Sequence, residues 1–164
     1  MAENNAMEEP QAESETSMEN RYLVFNIKDE FYSIEIIYIT EIVEMLPVTV
    51  VPNIPECIVG VINLRGAIIP IMDVRARFGY ETKEYDSRTC IVVLENDGVS
   101  IGIIVDSVQE VTKVNVDTIA KPPTNSASDA EYYIKGISKW KDNLQLIIDV
   151  DKFFTLEGIG ISCS

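Results

Sequence analysis

From residue 21 onward the hydrophobic positions fall in short runs rich in Val and Ile, broken by turn residues about every 8 to 12 positions. This is the pattern of many short strands in a sandwich or barrel. It predicts strands over 22–27, 31–34, 49–51, 57–64, 67–72, 89–94, 99–105, 108–114, 134–140 and 144–148, and no long helix. Asn96-Asp97-Gly98 lies between two of these and predicts a hairpin turn, because Asn and Gly tolerate the positive φ that such turns demand.

The pattern also repeats. Residues 22–43 can be laid on 91–112 without a gap, which puts Ile39 on Val108, Glu41 on Glu110 and Ile42 on Val111. Residues 60–78 can likewise be laid on 136–154, matching Gly60 with Gly136, Asp73 with Asp149, Val74 with Val150 and Phe78 with Phe154. The change of offset between the overlays falls in 121–131, a Pro-, Ser-, Asn- and Asp-containing stretch that reads as an inserted surface loop. Asp73-Val74 and Asp149-Val150 each close a strand and open a short helical turn, where an Asp carboxylate can accept from exposed first-turn amides. The chain is therefore expected to be all-β, with two tandem barrels, the first over about 21–83 and the second over about 88–155, joined by a linker near 79–86. Units this small should pack on each other and leave a groove between them.

Composition narrows the partners. With 46% hydrophobic residues the chain can build real cores, and 27 acidic against 13 basic residues give a net charge of -14, which argues against nucleic acid or anionic lipid as ligand. The first twenty residues hold six glutamates, no basic residue and no apolar run, so 1–20 reads as a disordered acidic tail and not as a secretory signal. Residues 156–164 read as a C-terminal tail, and no apolar run approaches the ~20 residues of a membrane span. The three cysteines, Cys57, Cys90 and Cys163, are odd in number and form no CxxC pair, which fits a reducing, cytoplasmic compartment.

Catalytic chemistry is poorly supplied. The chain has no histidine, which removes the usual nucleophile triads, HExxH metal sites and the commonest general base near neutral pH. Cys57 and Cys90 lie in or beside apolar strands and read as buried, inert thiols. No phosphate loop is present; a pair such as Glu35 and Glu41 could do acid/base work or bind a hard cation but reads as a solvated face, and Asp73, Asp149 and Asp151 do not form the dense acidic loop of a calcium site. A Ser-Lys hydrolase would need a lysine beside a serine, but Ser138 and Lys139 are strand neighbours that point to opposite faces. No enzyme, cofactor or metal is expected. A generic SH3-like peptide-binding module remains an alternative, although it calls for clustered aromatics and only Tyr132-Tyr133 are adjacent.

The segment Asn63-Leu64-Arg65-Gly66-Ala67-Ile68-Ile69-Pro70-Ile71-Met72-Asp73-Val74-Arg75-Ala76-Arg77-Phe78 reads as strand, tight turn, strand and helical turn, with Gly66 supplying the turn and Asp73 the cap. It resembles the signature stretch of the CheW proteins and of the CheW-like regulatory domain of chemotaxis histidine kinases. The resemblance runs from about Tyr22 to Phe154 and takes in Tyr22-Leu23-Val24-Phe25, Thr40-Glu41-Ile42, Asn53-Ile54-Pro55 and Val105-Asp106-Ser107-Val108. It implies two five-stranded SH3-like barrels and a non-catalytic adaptor that couples the cytoplasmic tip of methyl-accepting chemoreceptors to the regulatory domain of the kinase CheA. Such a protein would be cytoplasmic and would meet the membrane only through receptors. The resemblance further implies receptor contact at Ile39, Glu41, Arg65, Val108 and Val111, and kinase contact near Val51, Pro52, Ile54 and Gly60. Gly66, Asp73, Gly136 and Asp149 are then structural.

Overall fold

The structure, a computed structural model, describes residues 20–53, 57–122 and 129–155. The expected acidic and C-terminal tails and the middle of the 121–131 loop therefore lie outside the described residues, apart from Asn20. Ten strands make two five-stranded sheets: β1 (Arg21–Ile27), β2 (Glu30–Glu35), β3 (Ile39–Glu44), β4 (Ile58–Leu64), β5 (Ala67–Asp73), β6 (Cys90–Asn96), β7 (Val99–Val105), β8 (Ser107–Lys113), β9 (Ile134–Trp140) and β10 (Asn143–Ile148). The helices are short: α1 (Val74–Arg77), α2 (Asp129–Tyr132) and α3 (Asp151–Thr155). The β6–β7 turn falls at Asp97-Gly98 with positive φ at both residues, as its sequence requires.

The repeat is real, but its halves are exchanged. One sheet has the order β8-β1-β2-β10-β9 and the other β3-β6-β7-β5-β4. Both are the same arrangement, in which strands one and two of one repeat are completed by strands three, four and five of the other. The seams are the two parallel pairs, β2 with β10 and β5 with β7. The expected division into consecutive barrels at 83–88 is therefore corrected, and the 79–86 segment joins β5 and β6, which belong to the same sheet. Connection length accounts for the departure of β8 from the sheet of β7. β7 passes to β8 through Asp106 alone and β2 to β3 through a single 3₁₀ turn, Ile36–Tyr38. Reversing a strand onto its neighbour takes at least a two-residue turn of the right backbone type, so β8 continues into the other sheet. A second correction concerns 49–51, which forms only an isolated bridge, Thr49 with Val61, while the third strand is Ile39–Glu44.

Three clusters hold the fold. The largest lies between the sheets and draws on both: Leu23, Phe25, Tyr32 and Ile34 meet Met72, Phe78, Val92, Leu94, Ile101 and Ile103, with Tyr133, Val150 and Phe153. Its aromatic rings interlock across the boundary, Tyr32 on Phe78 at 5.3 Å and Phe78 on Tyr133 at 5.5 Å between centroids. Each sheet also curls around a smaller interior, Ile62, Ile69, Ile71, Ile91, Val93 and Ile104 in one, and Tyr22, Val114 and Ile147 in the other. Cys57 is buried, as expected, and its sulfur accepts from Arg77 Nη1 at 3.4 Å, whereas Cys90, expected to be buried, is a half-buried free thiol.

Candidate functional site

The sheet that contains β3 has β3 and β4 as its outer strands, and two contacts bring these edges together. Thr49, just beyond β3, exchanges backbone hydrogen bonds with Val61 of β4 at 2.8 and 2.9 Å. At the tip of the β4–β5 hairpin, Arg65 and Gly66 both have positive φ, and Asn63 Oδ1 accepts from the Gly66 amide at 2.9 Å. That turn carries the Arg65 guanidinium back to β3, where Nη1 donates to Glu41 Oε2 at 2.5 Å. Glu41 is half-buried and the Arg65 side chain is 73% exposed, so the cation remains accessible while it closes the barrel.

The other barrel repeats the device. Ala120 bridges Ile137 of β9, and Glu110, the counterpart of Glu41, lies 3.5 Å from Lys141 Nζ in the β9–β10 turn. Glu110 also accepts from Trp140 Nε1 at 3.0 Å, and Trp140 packs on Phe31 at 4.7 Å. Val108 and Ile39 are half-buried against the shared core, whereas Val111 and Ile42, their neighbours toward the strand ends, are exposed. Of the residues expected to contact a receptor, Glu41 and Arg65 touch directly and Ile39 shares a strand with Glu41. Val108 and Val111 stand on the outer strand of the other sheet, at or beside equivalent positions.

Of the residues expected to contact a kinase, Val51 is half-buried and Pro52 exposed, following Val50, which is 77% exposed. Ile54 lies outside the described residues. Gly60 is buried and is not a surface contact; a Cβ there would stand 2.2 Å from the Thr49 carbonyl oxygen. Its absence lets the chain at Thr49 lie against β4 and so presents residues 50–53. Gly136 is the buried counterpart, with Ile119 against it in place of backbone.

Asp73 caps α1 as expected: Oδ1 accepts from the Arg75 amide at 2.9 Å and Oδ2 from the Tyr85 hydroxyl at 3.0 Å. Burial, then the nearby Asp73 charge, pushes the Tyr85 phenol up. Asp149 works through its main chain, its amide donating to the Tyr133 carbonyl at 2.8 Å. The Asp106 cluster escapes sequence reasoning. Its carboxylate accepts from Arg75 Nε at 3.0 Å and Nη2 at 2.8 Å, and from the Lys28 amide at 2.9 Å, joining α1, the β1–β2 turn and the β7–β8 crossing. Burial opposes ionisation there, but the Arg75 and Lys28 hydrogen bonds outweigh it and hold the carboxyl below its ordinary range. The overlay sets Ile37 against Asp106, so the repeat gives no warning of a buried acid. Among the described residues no group of three or more His, Cys, Asp or Glu side chains is placed to hold a metal ion, and no helix is long and apolar enough to cross a membrane.

Two joined barrels that present outer strands, exposed aliphatic side chains and a surface ion pair define a module for holding other proteins. Comparison with known proteins identifies which. Residues 21–157 match the family model described as CheW-like domain. The chain is 31% identical over 140 residues to the chemotaxis protein CheW of Klebsiella aerogenes, covering 85% of this chain and 84% of that one. It is 30% identical over 131 residues to the chemotaxis protein CheW of Bacillus subtilis, covering 80% and 84%. The crystal structure of the scaffolding protein TtCheW from Thermoanaerobacter tengcongensis superposes with a TM-score of 0.78 at 33% identity, over 88% of this chain and 98% of that one. The chain belongs to the CheW-like family, whose members are adaptors of chemotaxis signalling with two SH3-like barrels.

Proposed function

We propose that this chain couples the cytoplasmic tip of methyl-accepting chemoreceptors to the regulatory domain of the histidine kinase CheA, and that it is cytoplasmic and reaches the membrane's inner face only through those receptors. An adaptor without chemistry controls a kinase only through differential binding, so it must engage both partners and favour one signalling state of the assembly. The observation that carries this reading is the accessible Arg65–Glu41 pair at the barrel edge, together with the 50–53 segment that Gly60 positions. The first, with Ile39, Val108 and Val111, serves the receptor; the second, with Val51 and Pro52, serves the kinase. A generic peptide-binding module is less well supported, because the large exposed aromatics are Tyr85 and Tyr132 alone among the described residues.

Arg65→Glu tests the reading. The side chain is mostly exposed, so the change removes no core volume and sets two carboxylates side by side at the edge. The variant should melt within a few degrees of the parent and fail to stimulate the kinase in the presence of receptor. Unchanged stimulation rejects the coupling role of this edge, and a collapsed melting transition assigns Arg65 to the fold instead.

A further inference from the structure

The internal repeat allows the two barrel interiors to be compared position by position. One interior is aliphatic: Ile62, Ile69, Ile71, Ile91, Val93 and Ile104. The overlays put Ser138, Gln145, Ile147, Tyr22, Val24 and Glu35 at those places in the other barrel, and Ser33 where the first has Gly102. Ser33 and Gln145 are wholly buried and Ser138 nearly so. The register puts all three on one face of the sheet. Ser33 is opposite Ile147 in the β2–β10 seam, Gln145 is two residues before Ile147, and Gln145 is opposite Ser138 in the β9–β10 pair.

The polar atoms on that face are not satisfied by one another. Gln145 Nε2 donates to the Lys139 carbonyl at 3.2 Å, which fixes the amide, since turning it over would set two oxygens together. Gln145 Oε1 and Ser33 Oγ are both buried and have no hydrogen-bond partner among the described residues. An amide oxygen can only accept, and Ser33 is not bonded to it. Buried polar atoms left over by the chain commonly mark an ordered internal water, which is small enough to be enclosed and can donate and accept at once.

We propose that the barrel formed by β8-β1-β2-β10-β9 encloses a hydration site, with a water accepting from Ser33 Oγ and donating to Gln145 Oε1, and that the aliphatic barrel has no counterpart. The hydrated barrel is consequently the softer of the two and opens locally first. A crystal structure of the intact chain, at a resolution that places ordered water, should have a water within hydrogen-bond distance of both atoms and none beside Ile69 and Gly102. A direct Ser33–Gln145 hydrogen bond, or aliphatic side chains packed over both atoms, overturns the site. Amide hydrogen exchange on the same protein in solution should be at least about tenfold faster across β10 than across its counterpart β5. Equal or slower exchange in β10 overturns the softening.

Discussion

Replacing Gly60 and Gly136 separately with Ala measures how each barrel closes, because the two glycines are equivalent in the repeat and differ in what a methyl group would meet. At Gly60, with φ +154, a Cβ stands 2.2 Å from the Thr49 carbonyl oxygen and 2.9 Å from its carbon, so backbone has to move. Moving it by about 1 Å to reach ordinary contact breaks the paired Thr49–Val61 hydrogen bonds. Each bond contributes about 1 kcal/mol, and the backbone conformation adds about 1–2 kcal/mol for a residue with a side chain. The expected loss is ~3–4 kcal/mol, a fall in Tm of roughly 6–16 °C for a domain of this size. At Gly136 φ is ordinary and the nearest atom is the Ile119 Cγ2 methyl at 2.5 Å, which can turn aside, with Ala120 O already at 3.5 Å. There the expected loss is ~1–2 kcal/mol. Urea titration of both variants with a shared slope gives the comparison directly. If Gly60→Ala costs no more than Gly136→Ala, the close approach of Thr49 to β4 is not what requires glycine, and the argument for how residues 50–53 are presented fails with it.

Three further substitutions have expected outcomes. Asp106→Asn should destabilise by ~1–2 kcal/mol at neutral pH, since a largely buried bidentate ion pair becomes a neutral one. Asp106 titrates below its unfolded value of about 3.9, so its contribution is present above that pH and is lost as pH falls through the lower folded value. The stability gap between parent and variant, followed by urea titration across pH, should therefore close below about pH 4, and a gap that stays constant refutes the assignment. Trp140→Ala should cost ~3–5 kcal/mol, because the ring is buried against Phe31 and held by Glu110. Lys141→Ala one residue on should cost under about 0.5 kcal/mol by the same melt, since its pair is exposed.

Most of the local structure could be read from the chain, because period-two alternation and turn residues act over a few positions. The hairpin at Asp97-Gly98, the cap at Asp73 and the equivalence of Gly60 with Gly136 are of this kind. What could not be read is which strand pairs with which across the seams. The parallel contacts of Ser33 with Ile147 and of Gly102 with Ile71 join residues far apart in the chain, and both sheets place equivalent residues in equivalent surroundings. Hydrophobic pattern is the same whether a repeat folds on itself or exchanges strands, so it cannot choose between them. β3 was hidden for a related reason. Its residues alternate between half-buried and exposed, and an outer strand carries a weaker apolar signal than the central β6 or β7. In the candidate site, Arg65 stood out beside the Gly66 turn, but its partner Glu41 lies in β3, and Asp106 was visible only as part of a family motif.

The exchange of strands makes a prediction about fragments that separates the observed topology from a tandem one. A fragment ending near residue 83 contains β1 to β5, which supply two strands of one sheet and three of the other. As a monomer it leaves β2 without its seam partner β10 and β5 without β7, and it loses the second repeat's share of the core, Val92, Leu94, Ile101, Ile103, Tyr133 and Phe153 among them. Unpaired edges on both sides of a half-core are costly, since each strand presents a row of unsatisfied amide and carbonyl groups. Two copies of the fragment can supply to each other what the second repeat supplies in the intact chain, because both sheets have the same internal order. The fragment should therefore be either unfolded or a strand-exchanged dimer, detected by light scattering on a size-exclusion column together with a β-type circular dichroism spectrum that is lost on dilution. A monomer with a cooperative melt would mean that the first repeat closes a barrel from its own strands, and the exchanged topology would be wrong.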